Sequence, residues 1–186
     1  MTNAELSAHE RDLALRYARR ALESHLGGGG PVEVKTDSPG LCARRASFVT
    51  LRRRGSGDLR GCRGEVQPRR KLIESVMRMA VAAATDDPRF EAVTADELES
   101  IHIEISALTL PAPIRPADIE LGRHGLMVTT GTRAGLLLPD VPVDHGWGRH
   151  EFLTHVCRKA GLPDDAWRRP NATLEGFETE VWHEAY

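Results

Sequence analysis

The sequence predicts an α+β fold, mainly antiparallel sheet with flanking helices. Three observations carry this expectation. Apolar residues recur at three- and four-residue spacing in three separate stretches; β-rich segments come in pairs joined by glycine turns; and no strand–helix–strand rhythm of a parallel sheet is present. A length of 186 residues fits one domain, or one domain with a small appended lobe.

In order, Ser7 and Glu10 form an S-x-x-E capping box. Behind it Leu13, Ala14, Tyr17, Ala18, Ala21 and Leu22 line one face of a helix over residues 8–26, ended by Gly27–Gly30. Residues 47–52 are β-rich, and Gly55-Ser56-Gly57-Asp58 turns them back toward Leu59, a hairpin. Leu72, Ile73, Val76, Met77, Ala80 and Val81 predict a second helix ending near Thr85, since Pro88 forbids its continuation. Ile101–Ser106 alternates, three isoleucines facing one way and His102, Glu104 and Ser106 the other, which predicts a half-buried strand with a polar face. A proline-rich linker follows. Leu126–Thr130 and Gly135–Leu138 then predict a second hairpin, Phe152 to Ala160 a last helix closed by Gly161, and the alternation at Phe177–Trp182 one closing strand.

Composition removes several function classes. Hydrophobic residues are 40% and the net charge is −2, which argues against a disordered chain, a polycation and an acidic tail. No apolar run approaches the roughly 20 residues of a bilayer helix. The polar Met1–Arg20 stretch predicts no secretory leader. Cys42, Cys62 and Cys157 are few and scattered, so neither a disulfide framework nor a zinc cluster is expected, and the reducing cytoplasm is the simplest compartment. Charge is nonetheless uneven. Arg44–Arg78 holds eleven bases against three acids, a net +8, while Asp86–Glu104 holds seven acids against Arg89, a net −6. Two solvated faces that pair across the fold explain this more simply than a polyanion site. Phe48 alone offers an aromatic ring within the basic run, so nucleic acid is a poor partner.

The chemistry concentrates in Leu59-Arg60-Gly61-Cys62-Arg63-Gly64. Two glycines bracket a thiol and two arginines flank it. In a bent backbone this would serve a nucleophile or an anion cradle, provided the guanidinium groups turn toward the sulfur. A small residue fitted into a tight bend is the competing explanation. Elsewhere His145, His150 and His155 are five apart, not the four of a helical metal pair, so no metal site is expected. No Walker loop, dinucleotide fingerprint or nucleophile elbow occurs, and no cofactor is expected. Cys157 reads as core.

Further segments join the six-residue motif: Phe48-Val49-Thr50-Leu51, Asp87-Pro88-Arg89-Phe90, Ile103-Glu104-Ile105-Ser106-Ala107-Leu108, Gly122-Arg123-His124-Gly125-Leu126, Leu137-Leu138-Pro139, Glu151-Phe152-Leu153 and Lys159-Ala160-Gly161-Leu162-Pro163. In this order and spacing, from about Ser7 to Glu184, the chain resembles the AMMECR domain family, known in archaea and bacteria as protein A of the AmmeMemoRadiSam system. One position departs: the family motif usually has isoleucine where Arg63 stands. The resemblance implies a single AMMECR-type domain over 1–186 of two unequal subdomains, the larger built from both chain ends and the smaller from a middle segment, with a cleft between them. It also implies, by association, a modification pathway shared with a Memo-like protein and a radical S-adenosylmethionine enzyme.

Two functions are then expected. In the first, the chain is a cysteine-dependent enzyme. Cys62 is the nucleophile, His124 the base, Glu104 completes the catalytic set, and Arg60, Gly61, Arg63, Gly64, Asp87, Arg89 and Ser106 line the ligand site. In the second, the same bend is a non-catalytic anion-binding or adaptor module for a small molecule, a peptide or RNA, and Cys62 only packs.

Overall fold

A computed structural model describes residues 5–185. In chain order the elements are α1 (Ala8–Leu26), α2 (Pro39–Cys42), β1 (Ser47–Arg53), β2 (Leu59–Gly64), α3 (Leu72–Thr85), β3 (Ile101–Leu108), β4 (Ala112–Pro113), β5 (Gly125–Thr130), β6 (Arg133–Leu137), α4 (Val141–Asp144), α5 (Arg149–Lys159), β7 (Thr173–Phe177) and β8 (Thr179–His183). They fall into two compact units. The first comprises the described residues through Leu108 and those from Glu180 onward, and the second is Thr109–Thr179. The fold is α+β, with two four-stranded sheets.

The first unit carries the sheet β2-β1-β3-β8. α1 starts where the capping box places it: the Ser7 side chain accepts from the Glu10 N–H, and Glu10 accepts from the Ser7 N–H at 2.9 Å. Its Ala14, Tyr17, Ala18, Ala21 and Leu22 are buried, as the spacing predicts. α3 packs on β1 and β2, and α1 on α3 and β3. Between helices and sheet lie Val49, Leu51, Ile103 and Ile105 with Ile73, Val76 and Ala80, all fully buried. Each large aliphatic side chain here contributes roughly 1.5–3 kcal/mol. Ser47 and Ser75 share a buried hydrogen bond of 2.7 Å from β1 to α3. Arg45, 1% exposed, pairs with Glu180 at 2.7 Å and donates to the Leu108 carbonyl at 3.0 Å.

The second unit carries the sheet β4-β7-β5-β6 with α5 packed on β5 and β6. Leu126, Val128, Phe152, Val156 and Cys157 are its fully buried core. Gly135 lets α5 approach, because a Cβ there would sit 2.4 Å from the Ala160 nitrogen. The two ends of the unit meet: the Thr109 N–H donates to the Glu178 carbonyl at 2.9 Å, and the Glu178 N–H to the Thr109 hydroxyl at 2.8 Å.

Three expectations need correction. β3 is an interior strand, so its polar face is not solvent-facing. His102 and Ser106 are buried and only Glu104 is partly exposed, and burial pushes the His102 imidazole below its usual pKa. The closing alternation is two strands rather than one. β7 and β8 belong to different sheets, and Val181 is exposed while Trp182 is buried. Finally, Leu59–Gly64 is an extended strand, not a bend, and neither Gly61 nor Gly64 has positive φ.

Candidate functional site

β2 is an edge strand paired antiparallel to β1, and β1 is paired to β3. The registers put Cys62 opposite Thr50, and Thr50 opposite Glu104. Thiol, hydroxyl and carboxylate thus form one row across three strands, on the face away from the buried isoleucines of β3. Gly64, Phe48 and Ser106 make the next row. The Thr50 hydroxyl donates to the Cys62 sulfur at 3.4 Å, and Cys62 is partly exposed. Glu104 lies two strands away, roughly 10 Å between Cα atoms, with Thr50 between. Its carboxylate faces Arg52 at 3.8 Å.

The backbone of Cys62 is held from outside the sheet. As the edge residue opposite Thr50 it directs its N–H away from β1, and Asp87 accepts it at 2.8 Å. Asp87 also takes a two-pronged pair from Arg89, at 2.9 and 2.7 Å, and the Arg89 N–H at 3.1 Å. One carboxylate, 3% exposed, thereby fixes both the strand that carries the thiol and a guanidinium that is 56% exposed. The Arg89 pair holds Asp87 well below the usual carboxylate range, and the Cys62 N–H adds to this. Asp87 raises Arg89 in turn through the same pair, and one oxygen, Asp87 Oδ2, accepts from both the Arg89 guanidinium and the Cys62 N–H.

The structure therefore joins Cys62, Glu104, Ser106, Asp87 and Arg89 around one face and edge of the first sheet. The other expected residues have different places. Arg60 does not turn to the thiol. A β-bulge between Leu51 and Arg52 displaces it, and its guanidinium pairs with Glu97 at 2.9 and 3.0 Å and donates to the Glu91 carbonyl. Arg63 follows Cys62 by one residue, so strand alternation sends it to the α3 side. The motif glycines make room. A Cβ at Gly61 would lie 2.1 Å from the Ala83 carbonyl oxygen, and one at Gly64 2.1 Å from the Phe48 ring. His124 belongs to the second unit. Its Nδ1 accepts from the Glu120 N–H at 3.0 Å, which leaves Nε2 as a donor, 4.0 Å from Glu178. Of the glycines beside it, Gly122 has φ +83°, whereas Gly125 is in β5 and leaves space for the Phe177 ring.

Thr50 and Arg52 are the residues that sequence reasoning missed. Alternation in β1 gives their face, but their partners depend on hairpin register, and the bulge shifts it. The two charge runs meet in part, at Glu97 and Glu104, and other bases of the first run find acids elsewhere. Arg52 meets Glu104, Arg53 and Arg60 meet Glu97, Arg45 meets Glu180, Arg54 meets Glu184 and Arg70 meets Glu65. Among the described residues no group of three or more His, Cys, Asp or Glu is placed to hold a metal, and no helix is long and apolar enough to cross a membrane.

The chain is similar to Protein MK0488 of Methanopyrus kandleri, 42% identical over 188 residues that cover 97% of this chain and 91% of that protein. It is also similar to Protein MJ0810 of Methanocaldococcus jannaschii, at 39% over 96% and 92%. The crystal structure of an uncharacterized protein, PH0010 from Pyrococcus horikoshii, superposes with a TM-score of 0.81 at 40% identity, covering 94% of this chain and 91% of that one. With the AMMECR1 family matching residues 15–182, this chain belongs to the AMMECR1 family.

Proposed function

We propose that this protein is a cysteine-dependent enzyme acting on an anionic substrate, with Cys62 as the nucleophile. The observation that carries this reading is Asp87. It locks the Cys62 backbone and the exposed Arg89 guanidinium to one carboxylate, so a fixed cation stands beside a partly exposed thiol. In this reading Arg89 draws the substrate's negative group to the sulfur, Thr50 orients the sulfur, and the partly exposed Glu104 contacts the remainder of the substrate. Family resemblance supports a place in a modification pathway with a Memo-like protein and a radical S-adenosylmethionine enzyme, and three free thiols suit the cytoplasm.

Alkylation tests the site. Cys62 reacts ahead of buried Cys157, and iodoacetate is favoured over iodoacetamide. Arg89→Ala lowers that preference about three- to tenfold. Mass spectrometry finding Cys62 unlabelled, or a preference that Arg89→Ala leaves unchanged, would overturn the reading. One observation favours the second function, a non-catalytic anion-binding module: among the described residues the only side chain hydrogen-bonded to the sulfur is a hydroxyl, not a base. Full in vivo activity of Cys62→Ser, with loss in Arg89→Ala, decides for that module. Co-purification with either pathway protein tests the association.

A further inference from the structure

On the other side of β2 from the Cys62 side chain, a groove of about 470 Å³ opens against α3, lined by Arg63, Gly64, Arg78, Met79, Ala82 and Asp86 among others. We infer that this groove binds the phosphoryl group of a small phosphate monoester. Both arginines are exposed, and neither has an ion-pair partner among the described residues. Within the basic run Arg45, Arg52, Arg53, Arg54, Arg60 and Arg70 are matched with carboxylates, while Arg44 and Arg69 donate to a carbonyl and an amide; Arg63 and Arg78 are set apart by lining one groove together. Two unmatched guanidinium groups lining one groove repel each other, and a bound dianion converts that repulsion into attraction.

The strand supplies a third donor. Pairing in an antiparallel ladder alternates, so Cys62 and Gly64 are the residues of β2 whose N–H groups point away from β1; the Glu65 N–H, one residue on, turns inward to the Ser47 carbonyl at 3.0 Å. Asp87 occupies the Cys62 N–H. The Gly64 N–H is left outward beside the groove, with no side chain to shield it. Two guanidinium forks and a backbone N–H suit the three terminal oxygens of a phosphate monoester better than the two oxygens of a carboxylate. Asp86, exposed and lining the same groove with Oδ1 accepting from the Thr85 hydroxyl, selects further. Its charge disfavours a polyphosphate or a nucleic-acid strand, while its free oxygen can accept from a ligand hydroxyl. The favoured ligand is therefore a hydroxylated small molecule bearing one phosphate.

This inference does not depend on chemistry at Cys62, and its test keeps the two apart. The full chain is titrated with inorganic phosphate and with glycerol phosphate at constant ionic strength, read by amide chemical shifts. Saturable binding is expected, with shifts at Gly64 and along α3. Arg63→Ala and Arg78→Ala each weaken it about tenfold, Arg63→Lys and Arg78→Lys weaken it less, and Cys62→Ser leaves it within about twofold. Circular dichroism checks the fold of each variant, and the lysine variants stand in for an alanine variant that fails to fold. Linear, unsaturable shifts, or binding that survives loss of either arginine, would overturn the assignment. Tighter binding of a single-stranded oligonucleotide that depends equally on Arg44 and Lys71 would also overturn it, in favour of a diffuse polyanion surface.

Discussion

Cys62 shows how one residue answers to separate partners: its N–H to Asp87, its sulfur to Thr50. Asp87→Asn keeps an acceptor for the N–H but frees Arg89. The iodoacetate preference at Cys62 is then expected to fall toward the Arg89→Ala value while the thiol stays reactive, and alkylation kinetics would register the difference. Gly61 gives a stability prediction. A methyl group 2.1 Å from the Ala83 carbonyl oxygen must push β2 off α3, so Gly61→Ala is expected to cost about 2–4 kcal/mol, read from urea unfolding. At this scale residue types were legible and directions were not. A thiol, two glycines and two arginines in a short motif signal chemistry, but only strand parity shows that Cys62 and Arg63 face opposite sides. The glycines resemble a flexible bend in sequence, whereas their lack of a side chain serves packing.

Single charged contacts tie the elements together. Glu97, in the turn before β3, pairs with Arg60 on β2, and that pair holds its carboxyl down to about 2. Glu97→Gln leaves the buried Arg60 without a full countercharge and is expected to lose about 2 kcal/mol at neutral pH, measured by chemical denaturation. Glu10 does the same for α1. Hydrogen bonds from Ser38, then Ser7, hold it at about 2 and join the helix start to α2. Helices and hairpins were legible because their periods and turn glycines are local. The burial of β3 was not, because its alternation is the same whether a strand lies at an edge or inside. Nor was the division of the last strand, which depends on which sheet each half joins.

For the molecule as a whole, these carboxylates set an acid limit. Both Glu10 and Glu97 sit below the ordinary value of 4.5 when folded. Their contribution is complete above about pH 4.5 and is lost as pH falls toward 2, because protons then bind the unfolded chain more readily. A Glu10→Gln, Glu97→Gln double variant is expected to show lower stability at pH 6 and a flatter decline between pH 4.5 and 2, followed by thermal unfolding across pH. That the basic and acidic runs meet, at Arg52, Arg53 and Arg60, was legible from charge pattern; that Arg45, Arg54 and Arg70 find acids outside the acidic run was not. The partners of each arginine were not, because they follow from the bulge and from long-range packing.

Residues 109–179 leave and rejoin the first unit between neighbouring strands, β3 and β8, and their own two ends are hydrogen-bonded together. The topology is that of a guest carried on a hairpin of its host. Excising the guest and linking Leu108 to Glu180 through a short turn would leave β3 and β8 as a simple hairpin at the sheet edge. The trimmed chain would carry the Cys62 row, Asp87 and Arg89 by itself, a minimal scaffold on which the thiol's chemistry can be separated from whatever the guest contributes.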